Sequence, residues 1–410
     1  MRNSFTVSKS SFIAIMIFLA QFVTLPYFTW YNMVRYTTIV VAGVYVCTRY
    51  KKLAKRKYAL INMLSVIFCG MLLWTSFQNR NQIINRNPFL AAVVFSALFI
   101  VFLLFMEIMI ENNEVNHILL IFYRMTLVVL FINDILIFAY PSLYLSFGEN
   151  YFLGTKFEVI YLHFLSICLY MIKNKDNNFK NAVALGMLIW TFFIGLQIKC
   201  STGLVGAAFL IILMIAINKK EEVFLNPLFY AGVLAICFSF VFFCEIVLSN
   251  PTVENFIVNI LGKNATMSGR ANIYMKVPIL LTSNHAWTTG FGYATSYELG
   301  RKLGGFPDTQ NGILEWIWYA GVPTTIIMIV LFMVILYVAR KSIEQDRGKM
   351  SAMLTFLYLL TILGTVEITI TQLYFAVFVC LMGIGVSRFD GVETNEIPTI
   401  NNCQEVNIKR

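Results

Sequence analysis

Long apolar runs separated by short polar stretches recur along the whole chain. They predict membrane-spanning helices over 12–30, 33–48, 58–76, 89–110, 118–140, 155–172, 181–198, 202–218, 228–248, 312–338, 351–365 and 368–386. The pattern breaks once at length, between 249 and 311, where polar residues, Gly and Pro gather. The expected architecture is an all-α polytopic integral membrane protein of about twelve transmembrane helices. Residues 1–248 carry helices one to nine, 249–311 a large extracytoplasmic loop, 312–386 helices ten to twelve, and 387–410 a cytoplasmic tail.

Composition supports lipid as the solvent. Of 410 residues 59% are hydrophobic and 13% charged, against about 25% charged in soluble proteins. The net charge of +10 does not point to nucleic acid, because Lys and Arg cluster in the short loops flanking apolar runs. With a cytoplasmic N-terminus, Arg49, Lys51, Lys52, Lys55, Arg56, Lys57, Lys173, Lys175, Lys180, Lys219, Lys220, Arg340, Lys341, Arg347 and Lys349 all fall inside. Arg80 and Arg86 fall outside, and the 111–117 turn carries no Lys or Arg.

The first run lacks a small-residue cleavage site and is followed at once by another, so it reads as a span rather than a removable signal. Seven of eight cysteines lie in or beside apolar runs, Cys403 is in the tail, and the large loop has none, so no disulfide staples it. Charges within the runs, Glu107, Arg124, Asp134, Glu158 and Glu245, read either as anchors or as functional groups. Asp134 and Glu245 stand toward the loop side.

Three segments could carry chemistry. In Thr266 to Met275, Ser268 reads as the N-cap of a helix with Arg270 in its first turn, and a guanidinium beside free N–H groups suits a phosphate. A surface Arg on a capped interfacial helix fits the same residues. In Gln197 to Gly203, Ser201 or Thr202 can cap the next helix and Lys199 adds positive charge, although a snorkelling Lys at a hairpin is equally consistent. In Pro307 to Glu315, Asp308 or Thr309 caps a helix on which Asn311 and Glu315 share a face; such a carboxylate could hold or deprotonate a sugar hydroxyl. Trp287, Phe291, Tyr293, Trp316, Trp318 and Tyr319 offer sugar-stacking faces or an interfacial belt. His285 stands alone in the loop, so no protein-bound metal is expected, and no Walker, G-x-S-x-G or kinase motif occurs.

In this order and topology, these segments resemble the O-antigen ligase and polymerase superfamily of bacterial envelope enzymes. The resemblance rests on Ser268-Gly269-Arg270, on Gly290 and Gly292, on Gln310, Asn311, Leu314, Glu315 and Gly321, and on the Lys199 to Gly203 turn. It covers roughly 195–335 in detail. Two departures stand out: Gln310 replaces the family's His and cannot accept a proton near neutral pH, and Lys199 stands where many members have Arg.

The resemblance implies metal-independent, cofactor-free inverting glycosyl transfer from a polyprenyl-diphosphate-linked oligosaccharide, in the bacterial cytoplasmic membrane. Arg270, Lys199, Ser201 and Arg301 would hold the diphosphate. Glu315 or Asp308 would activate the acceptor hydroxyl, with Gln310 and Asn311 orienting it. Membrane lipid, a flippase and a chain-length regulator are the implied partners. Polymerisation of repeat units is the favoured activity, ligation of finished glycan to another acceptor the second, and a lipid-linked oligosaccharide transporter the reading from a different class.

Overall fold

The computed structural model describes residues 8–387, apart from 50, 52, 54, 83, 143–149, 175–178, 256–268 and 341–346. The described residues form α1 (Lys9–Gln21), α2 (Tyr31–Cys47), α3 (Ala59–Gln78), α4 (Pro88–Glu111), α5 (Val115–Ala139), α6 (Lys156–Lys173), α7 (Lys180–Gln197), α8 (Ser201–Phe224) and α9 (Pro227–Leu248). They continue with α10 (Pro251–Asn255), α11 (Arg270–Ser283), α12 (Ser296–Gly304), α13 (Gly312–Arg340), α14 (Arg347–Leu363) and α15 (Gln372–Ser387). No strand occurs among the described residues.

A helix lies at each predicted apolar run, and the protein is a multi-pass membrane protein. Seven helices, α3, α4, α5, α7, α8, α9 and α13, are long and apolar enough to cross a membrane. The other five at these runs, α1, α2, α6, α14 and α15, are shorter or less apolar. The largest departure is the first run, expected over 12–30, whose helix stops at Gln21. Pro26 follows, without an N–H to continue a ladder. The Tyr31 hydroxyl donates to the carbonyls of Leu19 and Val23, which folds 22–30 back over the end of α1.

Local chemistry sets several helix starts. Asn87 and Asn226 cap α4 and α9, each with Pro in the first turn, and Thr155 with Glu158 closes a reciprocal capping box on α6. The core is built on α13, α14 and α15: α13 packs on α3, α9 and α15, and α14 on α6, α8 and α15. Phe332 on α13 stacks on Phe378 of α15 with ring centroids 4.1 Å apart, within an almost wholly buried apolar centre.

The break in α13 shapes the site. Gly321 adopts φ 76°, and Pro323 cannot donate to the Tyr319 carbonyl four residues back. The freed groups are recovered by the preceding loop. Phe291 N–H donates to Trp318 O at 2.6 Å, Gly292 N–H to Tyr319 O at 3.0 Å, and Val322 N–H to Trp287 O at 2.8 Å. Gly290 and Gly321 permit this approach. A Cβ on Gly290 would stand 2.6 Å from Ala320 N, and one on Gly321 would stand 2.3 Å from Thr288 O.

Candidate functional site: a two-lobed polar cavity

The turns following α1, α3, α5 and α14 meet the 284–311 segment at one end of the bundle, around a cavity of about 490 Å³. Its charged lining comprises Arg35 from the first turns of α2, Arg86 ahead of α4, Glu158 of α6, Asp308 and Glu367. Tyr31, Tyr161, Tyr293, Tyr319, Gln310 and Gln372 add polar surface. A second cavity of about 200 Å³ is lined by Asn32 and Tyr36 of α2 and by Leu90, Ala91 and Val94 of α4. Arg35, Arg86 and Tyr293 line both, so they stand between the two lobes. The smaller lobe opens beside exposed apolar residues, among them Leu90 and Met33, which belong to the lipid-facing surface of the bundle.

Among the described residues, several donors facing the large lobe have no partner. Gln21 Nε2, Arg35 Nε, Tyr161 Oη and Gln372 Nε2 are all buried without a hydrogen-bond partner, and all four residues line it. Gln21 and Tyr161 are each 5% exposed. Buried donors are normally satisfied, so four of them around one space call for a ligand rich in oxygen. Arg35 donates to Gln372 Oε1 at 2.5 Å, and neither Arg35 nor Arg86 makes an ion pair with an acid among the described residues. Burial pushes the Tyr293 hydroxyl up to about 12 while both arginines pull it down, so it stays protonated as a further donor.

The sequence motifs arrive here unevenly. Gly269, at φ 86°, holds the N-cap position of α11, and Ser268 lies outside the described residues. Arg270 does not line the cavity; its guanidinium donates to Glu367 at 2.6 Å and to the Val366 carbonyl at 2.9 Å. Arg270, expected to hold the diphosphate together with Lys199, is instead paired with Glu367, which also accepts from Thr202 at 3.2 Å. Burial pushes the Glu367 carboxyl up to about 7, with Arg270 opposing and Asp308 adding to the rise.

Two expected diphosphate ligands stand elsewhere. Lys199 is exposed at φ 52° and does not line the cavity; Arg301 is exposed on α12 and stacks over Tyr297 at 4.0 Å. Ser201 and Thr202 begin α8 just after its N-cap, Cys200, so neither caps it, and Ser201 does not line the cavity.

The Pro307 to Glu315 segment is divided in the same way. Asp308 and Gln310 line the large lobe. The Gln310 backbone N–H donates to Asp308 Oδ1 at 3.0 Å and its side-chain amide donates to the same oxygen. Burial pushes the Asp308 carboxyl up, with these hydrogen bonds and Arg270 opposing. The α13 cap is Asn311, not Asp308 or Thr309: Asn311 Oδ1 accepts from the N–H groups of Ile313 and Leu314, each at 3.1 Å. Its amide donates to Cys237 O and Thr365 O, so Asn311 is a buried joint rather than a ligand. Glu315, 1% exposed, does not line the cavity; it accepts from Ser296 and, at 2.7 Å, from Thr309, and is hydrogen-bonded to Tyr319, which does. Of the six aromatic residues expected to offer stacking faces, Tyr293 and Tyr319 line the large lobe, while Trp316 and Trp318 are sealed in the core.

The other charges noted within the apolar runs lie away from this site. Asp134 accepts from Trp190 at 2.8 Å and contacts His163 at 3.2 Å between α5, α6 and α7, Glu245 and Arg124 are exposed, and Glu107 is fully buried. No cluster of metal-ligating side chains occurs among the described residues. No protein-family model matches the chain, and no curated protein matches it either.

Proposed function

We propose that the protein is a polytopic glycosyltransferase of about twelve spans that polymerises polyprenyl-diphosphate-linked oligosaccharide repeat units on the outer face of a bacterial cytoplasmic membrane. Lys and Arg at the opposite end of the bundle, Lys51, Lys55 and Lys57 among them, support the sidedness through the positive-inside rule. The observation that carries the reading is the pair of arginines, without an ion-paired acid among the described residues, at the junction of two polar lobes of which the smaller opens beside exposed apolar residues such as Leu90 and Met33. A lipid-linked diphosphate has an anionic linker for the arginines, a hydroxyl-rich glycan for the large lobe and an isoprenoid tail for the lipid beside the smaller one.

Arg35 and Arg86 take the role first expected of Lys199 and Arg301, neutralising the diphosphate as it becomes the leaving group. The tail passes beside α2 and α4 into the lipid and the glycan lies in the large lobe. An acceptor hydroxyl oxygen bonds to the anomeric carbon as the bond from that carbon to the diphosphate oxygen breaks. The bonding pair leaves with the diphosphate, and the hydroxyl proton passes to Asp308, which Gln310 orients. Arg270 acts behind the site by holding Glu367, and Glu315 holds Tyr319; both are positioning residues. Purified protein incubated with lipid-linked repeat units should give a ladder of products differing by one repeat. Absence of any glycosidic product, with transfer of intact substrate across reconstituted vesicles, refutes the reading.

A further inference from the structure

The charges of the cavity are segregated. The small lobe is lined by Arg35 and Arg86 and by no carboxylate, whereas the large lobe adds Glu158, Asp308 and Glu367. Those three acids are satisfied mainly by neutral donors: Thr24 and the Thr155 N–H serve Glu158, each at 2.7 Å, and Gln310 serves Asp308. Among the described residues only Glu367 of the three forms an ion pair with an arginine, Arg270. Lys156 acts on Glu367 through space, but its ammonium sits 5.5 Å over the Phe157 ring and it does not line the lobe. A ligand anchored by an anion at the arginines therefore presents its next unit to an acidic wall.

We infer that the sugar joined to the diphosphate is uncharged or amine-bearing, and that the wall of Glu158, Asp308 and Glu367 excludes a carboxylated sugar. This rests on the glycosyl-transfer reading. A neutral sugar offers hydroxyl donors to the carboxylates and acceptors to Tyr161, Gln21 and Gln372. An amine adds attraction, whereas a uronate brings a fourth carboxylate into a partly desolvated space beside three others.

The test compares three lipid-linked repeat units, identical except that the first sugar is a neutral hexose, its free-amine counterpart or its uronate. Wild-type protein should use the uronate at least tenfold less well in kcat/KM than the neutral unit, and the amine at least as well as the neutral unit. Equal use of uronate and neutral units overturns the inference while leaving glycosyl transfer standing. If none of the three is turned over, the glycosyl-transfer reading itself fails. Glu158→Gln should raise the uronate-to-neutral ratio, and an unchanged ratio in a variant that still elongates the neutral unit also overturns the inference. Should that variant fail to fold, the wild-type comparison decides by itself.

Discussion

Arg270 and Glu367, 97 residues apart in sequence, are joined by a guanidinium–carboxylate contact of 2.6 Å in which the carboxylate is buried and the guanidinium partly so. Through Thr202 the same carboxylate reaches the first turn of α8, so one acid ties the α11 start, the α14–α15 turn and the α7–α8 turn together. Removing one partner strands a buried charge. Arg270→Ala should therefore cost about 3–5 kcal/mol of stability, and Arg270→Met combined with Glu367→Leu should recover most of it. Thermal unfolding in detergent measures both. Loss of activity in Arg270→Ala with unchanged stability would instead return this arginine to the substrate.

The same acid sets a pH dependence. Its carboxyl is raised from 4.5 to about 7 in the folded protein, so its stabilising contribution is complete below its unfolded pKa and is lost as pH rises through 7. The melting temperature of the wild type should fall between pH 5 and 8, by an amount corresponding to about 3 kcal/mol. Glu367→Gln should flatten that slope. A steeper slope in the variant would assign the dependence to another group.

The helices and the polar end of the bundle were legible in sequence because a run of about 20 apolar residues has few other uses. Asp308 and Gln310 were legible because a polar cluster at a helix entrance is visible in a linear scan. Arg86 and Glu158 left weaker marks, one as a basic residue on the expected outer side and one as a charge within an apolar run. Arg35 and Glu367 left none: each is a single charge beside a helix end, indistinguishable from an anchor until the turns of distant helices are brought together. Asn311 and Glu315 misled for the opposite reason. Their spacing correctly put them on one helix, but spacing does not say whether a face meets a cavity or the core.

Arg35 and Arg86 should be the most sensitive cations of the site. Replacing either with Ala should lower kcat/KM for lipid-linked substrate about 100-fold, and Arg35→Lys should recover part of that because it keeps the charge and loses the fork. Lys199→Ala and Arg301→Ala, both at exposed positions outside the lining, should stay within about threefold of wild type. Product ladders quantified at subsaturating substrate give all five values. Equal effects in the two pairs would move the anion site away from the waist between the lobes.

The break in α13 gives a prediction about packing alone. At Gly290 and Gly321 a Cβ would meet backbone atoms at 2.6 and 2.3 Å, and both residues have positive φ, 61° and 76°. Gly290→Ala and Gly321→Ala should each destabilise by about 2 kcal/mol or more, since neither backbone can yield without losing the hydrogen bonds that recover the broken helix. Gly186→Ala and Gly232→Ala, in open helical positions, should be neutral or stabilising by about 0.5–1 kcal/mol. Melting temperatures of the four variants separate the two classes.

Asp308 is the carboxylate placed to take the acceptor's proton, and its geometry makes that role testable apart from binding. Both donors of Gln310 fall on Oδ1, which leaves Oδ2 for a hydroxyl in the large lobe. Asp308→Asn keeps the shape and removes the base, so kcat should fall about 100- to 10,000-fold while KM changes by only a few-fold. In the wild type, kcat should rise with pH through the elevated pKa of this carboxyl and then level off, because the ionised form is the active one. Gln310 stabilises that ionised form. Gln310→Ala should therefore raise the pKa further and shift the rising limb to higher pH, with the plateau lowered much less than in Asp308→Asn. A limb that moves to lower pH in Gln310→Ala, or an Asp308→Asn protein that still elongates at near the wild-type rate, would remove Asp308 from the chemistry.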